Sequence, residues 1–107
     1  MSYSVKFSTG ARQDLFKIYR YIKNAGSPQN AKRFSDQLKE ACFSLSDNPE
    51  RGHIPVEIEG LSEMLCRQIV VNHYRIIYQV IGKVVVINGI IEGHRSIREV
   101  LRQRLLI

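Results

Sequence analysis

Four chemical signatures are missing from this sequence: a glycine-rich phosphate loop, an HExxH helix, a cysteine cluster and a GxSxG elbow. Without them, nucleotide hydrolysis, zinc chemistry and α/β-hydrolase chemistry have little support. Cysteine is scarce, with only Cys42 and Cys66. Their spacing suits neither a zinc pair nor a redox CxxC, so both read as reduced, buried packing residues of a cytosolic protein. No apolar run approaches the roughly 18 residues of a membrane span, and Met1 to Lys6 is not a basic leader running into an apolar core. A cytoplasmic protein is expected, with no membrane partner, no cofactor and no metal. Low-complexity tracts and internal repeats are lacking too, which argues against a disordered or solenoid chain.

What is present suits one globular domain, residues 1–107, 44% of them hydrophobic. A chain of this length buries roughly 60 to 70% of its unfolded surface, enough to fold alone. The formal net charge of +6 predicts attraction to polyanions or acidic proteins, because a summed field of that sign steers such partners to the surface.

The strongest local signal lies near the C-terminal end. Two β-branched runs, Tyr74 to Ile81 and Val84 to Ile91, flank Gly82-Lys83, the pattern of a tight antiparallel hairpin. Neither run alternates cleanly, so the strands are expected at the centre of a sheet, covered by helices on one face and less completely on the other. Upstream, Tyr3, Val5 and Phe7 alternate with Ser4 and Lys6 as in a first strand. From Ala11 the period becomes helical, with Leu15, Ile18 and Ile22 on one face, Ser8 or Thr9 as cap and Gly26 as stop. Ser27-Pro28 restarts a helix whose stripe of Ala31, Phe34, Leu38, Ala41 and Leu45 runs to about Ser46. Glu50 to Gly60 reads as a loop anchored by Val56 and Ile58, and Met64 to Val71 as a strand turning at Asn72-His73. A short C-terminal helix is expected over Ser96 to Leu106, carrying Ile97, Val100, Leu101 and Leu105 at helical spacing and a possible Ser96/Glu99 capping box. The order β-α-α-β-β-β-α makes this an α+β fold: an antiparallel helical hairpin packed on a mostly antiparallel four-stranded sheet.

The candidate functional residues are basic. His53, His73 and His94 could exchange protons near neutrality, and His94 stands out beside Arg95 at the end of a central strand. Arg67, Arg75 and Arg95 could form an anion site through their forked guanidinium groups, provided their side chains leave the same sheet face. The plainer alternative pairs Arg75 with a buried or half-buried carboxylate such as Asp14 and makes it structural. Arg98, Arg102 and Arg104, opposed only by Glu99, are either the solvated face of a helix or a partner-binding surface.

A larger pattern contains these pieces: a short first strand, A-x-x-D-L-x-x-I-x-x-Y-I (Ala11, Asp14, Leu15, Ile18, Tyr21, Ile22), N-P-x-x-G (Asn48, Pro49, Gly52), Y-R-I-I-Y (Tyr74 to Tyr78) and G-H-R (Gly93 to Arg95). In order and spacing it resembles the RelE/ParE superfamily of bacterial type II toxins, over nearly the whole chain. The resemblance implies a toxin neutralised by a cognate, ParD-like antitoxin that folds along the helical hairpin and sheet. It also implies one of two activities. RelE-like members cut messenger RNA in the ribosome with basic sheet residues and commonly a C-terminal tyrosine; ParE-like members poison DNA gyrase.

Arg75 and Arg95 match basic positions of the RelE-like set. The lysines expected before the hairpin are replaced by Cys66 and Gln68, with Arg67 on the opposite pleat, and Leu101 stands where the aromatic is expected. Losing one positioned acid or base costs on the order of 10² to 10⁴ in rate, so several such losses should leave little nuclease. The expectation is therefore a ParE-like, plasmid-stabilisation-type toxin that blocks replication, acts as a gyrase inhibitor rather than an enzyme, and contacts its target through His94, Arg95, Arg98, Arg102 and Arg104. The alternatives are a ribosome-dependent endoribonuclease using Arg75, His94 and Arg95, or a degenerate toxin that only binds antitoxin.

Overall fold

The computed structural model describes residues 2–58 and 66–105. The chain begins with β1 (Ser4–Phe7), followed by α1 (Thr9–Ala25) and α2 (Pro28–Phe43). Two single 3₁₀ turns, Ser44–Ser46 and Val56–Ile58, precede β2 (Arg67–Val71), β3 (Tyr74–Ile81), β4 (Val84–Glu92) and α3 (Ile97–Leu105). The β-α-α-β-β-β-α order expected from the sequence is present.

Local chemistry sets the helix limits. Ser8 Oγ accepts from the Ala11 N–H at 3.1 Å, which fixes the start of α1, and Gly26 closes it by donating to Ile22 O at 2.9 Å. Ser27 caps α2 through the Asn30 N–H at 3.1 Å, with Pro28 in the first turn where its missing donor costs nothing. The stripe expected to run helically to Ser46 tightens into 3₁₀ geometry after Phe43.

The sheet runs β1-β4-β3-β2, so the β3–β4 hairpin is central as expected. β1 lies parallel to β4, while β2, β3 and β4 are antiparallel neighbours. Gly82 turns the hairpin at φ +60° and Asn72 turns β2 into β3 at φ 55°, both in the left-handed region that glycine and asparagine tolerate. Between Ile77 and Tyr78 the β3–β4 register slips by one, leaving Asn88 as the extra residue of a bulge.

The two faces of the sheet are covered unequally. On one, Ala11, Ile18, Leu38, Cys42 and Leu45 from the helical segments meet Ile69, Ile76, Tyr78, Val85, Ile87 and Ile90. On the other, α3 sets Ile97 and Val100 against Ile77, Ile91 and Cys66. Burying each such aliphatic side chain contributes about 1.5 to 3 kcal/mol, so among the described residues the first cluster contributes more than the second.

The expected loop anchor at Val56 is not found: that side chain is 75% exposed, and Pro55 is buried beside it instead. Pro49 and Gly52 hold the loop at another point, where Tyr78 donates to Pro49 O at 2.8 Å and accepts from Gly52 N–H at 2.9 Å. The side chains of Ile58, Leu101 and Leu105, the expected strand start at Met64, the loop end near Gly60 and the tail at Leu106-Ile107 lie outside the described residues.

Candidate functional site

Strand parity decides which arginines can act together. Tyr74, Ile76 and Tyr78 of β3 face the helical hairpin, so Arg75 points to the opposite face. Arg67 is registered against Tyr78 and therefore belongs to the helix-covered side, where its Nη1 donates to Gly52 O at 2.8 Å. The condition for a shared Arg67, Arg75 and Arg95 anion site, exit from one face, is not met.

Arg75 is held on every side. Its Nη1 and Nη2 donate to the two Glu57 carboxylate oxygens at 2.6 and 2.7 Å, and its Nε donates to Gln68 Oε1 at 2.7 Å. Gly93 O accepts a longer bond from Nη1 at 3.3 Å. With its amide oxygen committed to Arg75, Gln68 donates through Nε2 to His53 Nε2 at 3.1 Å, so that ring nitrogen must present its lone pair. His53 is also joined to Gln68 by a pair of backbone hydrogen bonds along the β2 edge. Arg75 does pair with a carboxylate, the plainer of the two readings, but the partner is Glu57 and not Asp14, the example named for it. The Arg75 hydrogen bonds hold the Glu57 carboxyl below its ordinary value, against the upward push of its partial burial.

Asp14 serves a different arginine. Arg104, at the far end of α3, forms a two-point pair with it at 2.7 and 2.9 Å and donates to Asn88 O at 2.9 Å. Asp14 Oδ2 also accepts the Ile90 N–H at 3.0 Å. β1 ends at Phe7, with Ser8 N–H on Ile87 O, so beyond that point β4 has no strand neighbour on this side among the described residues. The ion pair occupies the vacant edge. Gly10 and Gly89 make room for it: a Cβ on either would stand 2.9 Å from Arg104 Nε or 2.6 Å from Nη1.

Of the five expected target-contact residues, Arg104 is thus half-buried in a structural pair. His94, Arg95, Arg98 and Arg102 are exposed. Arg98 Nε donates to the Glu57 carbonyl at 2.9 Å, and His94 lies 3.5 Å from Glu92. Arg95, Arg98 and Arg102 have no carboxylate partner among the described residues.

Of the three residues considered for catalysis, Arg75 and His94 line one shallow depression of about 400 Å³ with Val70, Asn72, His73 and Gly93. Arg95 lines another, with Asp14, Lys17, Tyr21, Tyr74 and Glu92. Cys66 and Gln68, at the positions where lysines were expected, are both buried. The member of this site that sequence reasoning missed is Glu57, a loop carboxylate with no motif around it to mark it as a partner for Arg75.

The same arrangement of strands and helices occurs in solved toxin structures. The chromosomal ParDE toxin–antitoxin system from P. aeruginosa contains a chain with TM-score 0.72 and 22% identity, covering 85% of this chain and 96% of that one. The E. coli toxin RelE, as a double-arginine mutant in the free state, gives TM-score 0.67 and 23% identity over 99% of this chain and 97% of its own. The RelBE2 toxin–antitoxin complex of Mycobacterium tuberculosis gives 0.63 and 25%, over 86% and 99%. No curated protein is significantly similar in sequence.

The fold is therefore that of the RelE/ParE toxins. The sequence model for the ParE toxin of the parDE type II toxin–antitoxin system matches residues 5–97, and the chain belongs to that family. Membership implies an antitoxin as partner.

Proposed function

We propose that this toxin poisons DNA gyrase and so blocks replication in the cytoplasm, and that a ParD-like antitoxin neutralises it. The observation carrying this reading is that Arg75, one of the two basic residues shared with the RelE-like pattern, has both terminal nitrogens on Glu57. A guanidinium neutralised in this way does not offer its charge to a scissile phosphate. Burial of Cys66 and Gln68 and the leucine at position 101 remove further groups that message cleavage would need. Match to the ParE family over residues 5–97 points the same way. Of the basic residues proposed to contact a target, the exposed ones are His94, Arg95, Arg98 and Arg102, which form the proposed contact with gyrase, Arg104 being engaged with Asp14.

A gyrase reaction on relaxed plasmid with ATP tests the reading, with detergent and protease added to release trapped cleavage complexes. Linear DNA should accumulate with dose while supercoiling falls, and Arg98→Gln with Arg102→Gln should weaken both effects. Unchanged supercoiling at toxin excess would end the gyrase reading.

One observation favours a second reading, ribosome-dependent message cleavage: Arg75 and His94 share a depression on the more open face. It is abandoned if Arg95→Ala and His94→Ala leave toxicity intact.

A further inference from the structure

α1 turns a cationic and aromatic side to solvent. Its buried residues, Ala11, Asp14 and Ile18, recur every three or four positions, so the opposite side of the helix looks outward. Along that side run Arg12, Phe16, Arg20 and Lys23 at helical intervals, with Lys17 and Tyr21 in the adjoining row. All of them are exposed. Asp14 is the only acid in the helix, and it is buried and engaged by Arg104.

α2 carries cations too, but mixes them with carboxylates: Lys32 holds Asp36 at 3.1 Å, and Glu40 follows Lys39. On α1, Arg12, Lys17, Arg20 and Lys23 have no carboxylate partner among the described residues. A solvated helix face accounts for the cations alone; it does not account for the rings. Phe16 is 59% exposed and Tyr21 70%, each set among cations, and the Arg20 guanidinium lies 5.7 Å from the Phe16 ring centre. Rings left in water forgo the burial that aromatic side chains ordinarily gain, so this face is suited to being covered. Its charge calls for a polyanion, and a polynucleotide strand offers a flat base to each ring and a phosphate to the cations beside it.

We propose that the outer face of α1 binds single-stranded DNA, with the backbone along Arg12, Lys17, Arg20 and Lys23 and bases stacked on Phe16 and Tyr21. In a gyrase cleavage complex this face holds the DNA while the C-terminal cations hold the enzyme. That placement rests on the gyrase reading; the DNA contact itself does not.

The test is fluorescence anisotropy of a labelled single-stranded DNA titrated with the full chain, without gyrase, at several salt concentrations. Log affinity should fall against log salt with a slope of about 3, as phosphate contacts from the α1 cations at roughly 0.7 each require. Arg12→Gln, Arg20→Gln and Lys23→Gln together should bring that slope below about 1. Phe16→Ala with Tyr21→Ala should keep the slope and weaken binding about tenfold or more. Arg98→Gln with Arg102→Gln lowers the net charge without touching α1, and should change neither. All of these side chains are exposed, so the variants should melt like the parent. In a gyrase reaction the α1 variants should need more toxin than the parent to yield the same linear DNA. The proposal is overturned if the parent does not bind DNA at low salt, if the glutamine variant keeps its slope, if the ring variant keeps its affinity, or if RNA of the same sequence binds more tightly. Loss of antitoxin binding by the α1 variants, with no DNA bound by the parent, would assign the face to an acidic protein segment instead. A parent that binds DNA and leaves gyrase untouched ends the gyrase reading and keeps the DNA contact.

Discussion

Arginines in this toxin divide by what neutralises them. Arg75 and Arg104 are drawn into the structure and each meets a carboxylate through two hydrogen bonds, while Arg95, Arg98 and Arg102 stay at the surface. Arg104 does more than balance a charge, because its contacts and those of Asp14 satisfy Asn88 O and Ile90 N–H where β4 runs past the end of β1. Arg104→Leu would leave Asp14 buried, 7% exposed in its side chain, with its negative charge uncompensated. Breaking one side of such a pair costs about 3 to 5 kcal/mol, so urea unfolding should show a loss near the lower end, since the arginine is partly wet. Gly89→Ala should reproduce part of that loss by pushing Nη1 out of position, with its Cβ standing only 2.6 Å away. The two substitutions act on one contact, so the double variant should lose clearly less than the sum. Full additivity would show that the glycine and the arginine are independent.

Among the elements, the β3–β4 hairpin was the most legible in sequence and the loop before β2 the least. Two long β-branched runs around Gly82-Lys83 specify the hairpin locally, and the left-handed φ of Gly82 is what such a turn demands. Helix limits were legible for the same reason, since Ser8, Gly26, Ser27 and Pro28 act on neighbours in the chain. The ion pairs were not. Arg75 and Glu57 are 18 residues apart, and Arg104 and Asp14 are 90 apart. No periodicity links such residues; the partner of each arginine is chosen by which chain end crosses which sheet face. The loop shows the same limit. Val56 looked like its apolar anchor, yet the attachment is polar and lies at Gly52, where a Cβ would stand 2.5 Å from Gln68 O and 2.6 Å from Tyr78 Oη. The first of these is backbone and cannot swing aside. Gly52→Ala should therefore shift the loop off Tyr78 and cost about 1 to 3 kcal/mol in a denaturant melt. A melt indistinguishable from the parent's would mean that the loop tolerates a different seat.

At the scale of the whole molecule, the sheet separates a larger and a smaller apolar cluster among the described residues, and each contains one cysteine. Cys42 lies among the helices and the central strands, and Cys66 lies with Ile77, Ile91, Ile97 and Val100 beneath α3. Both thiols are fully buried, and burial pushes Cys42 up to about 12 and Cys66 up to about 11, so native thiolate is scarce at both. Labelling at pH 8 therefore requires an opening motion. The clusters need not open together, because local openings span free energies from near zero up to the global value, and a small cluster under a nine-residue helix has less to lose. Cys42 should label only through global unfolding, its rate following the denaturant melt. Cys66 should label faster and with a weaker denaturant dependence, reporting departure of α3 from the sheet while the larger cluster stays closed. The Arg104 pair with Asp14 fastens α3 to α1 across the β4 edge, so Arg104→Leu should accelerate Cys66 labelling far more than the global loss of stability accounts for. Equal rates at the two cysteines, in parent and variant alike, would show that both faces of the sheet open as one unit.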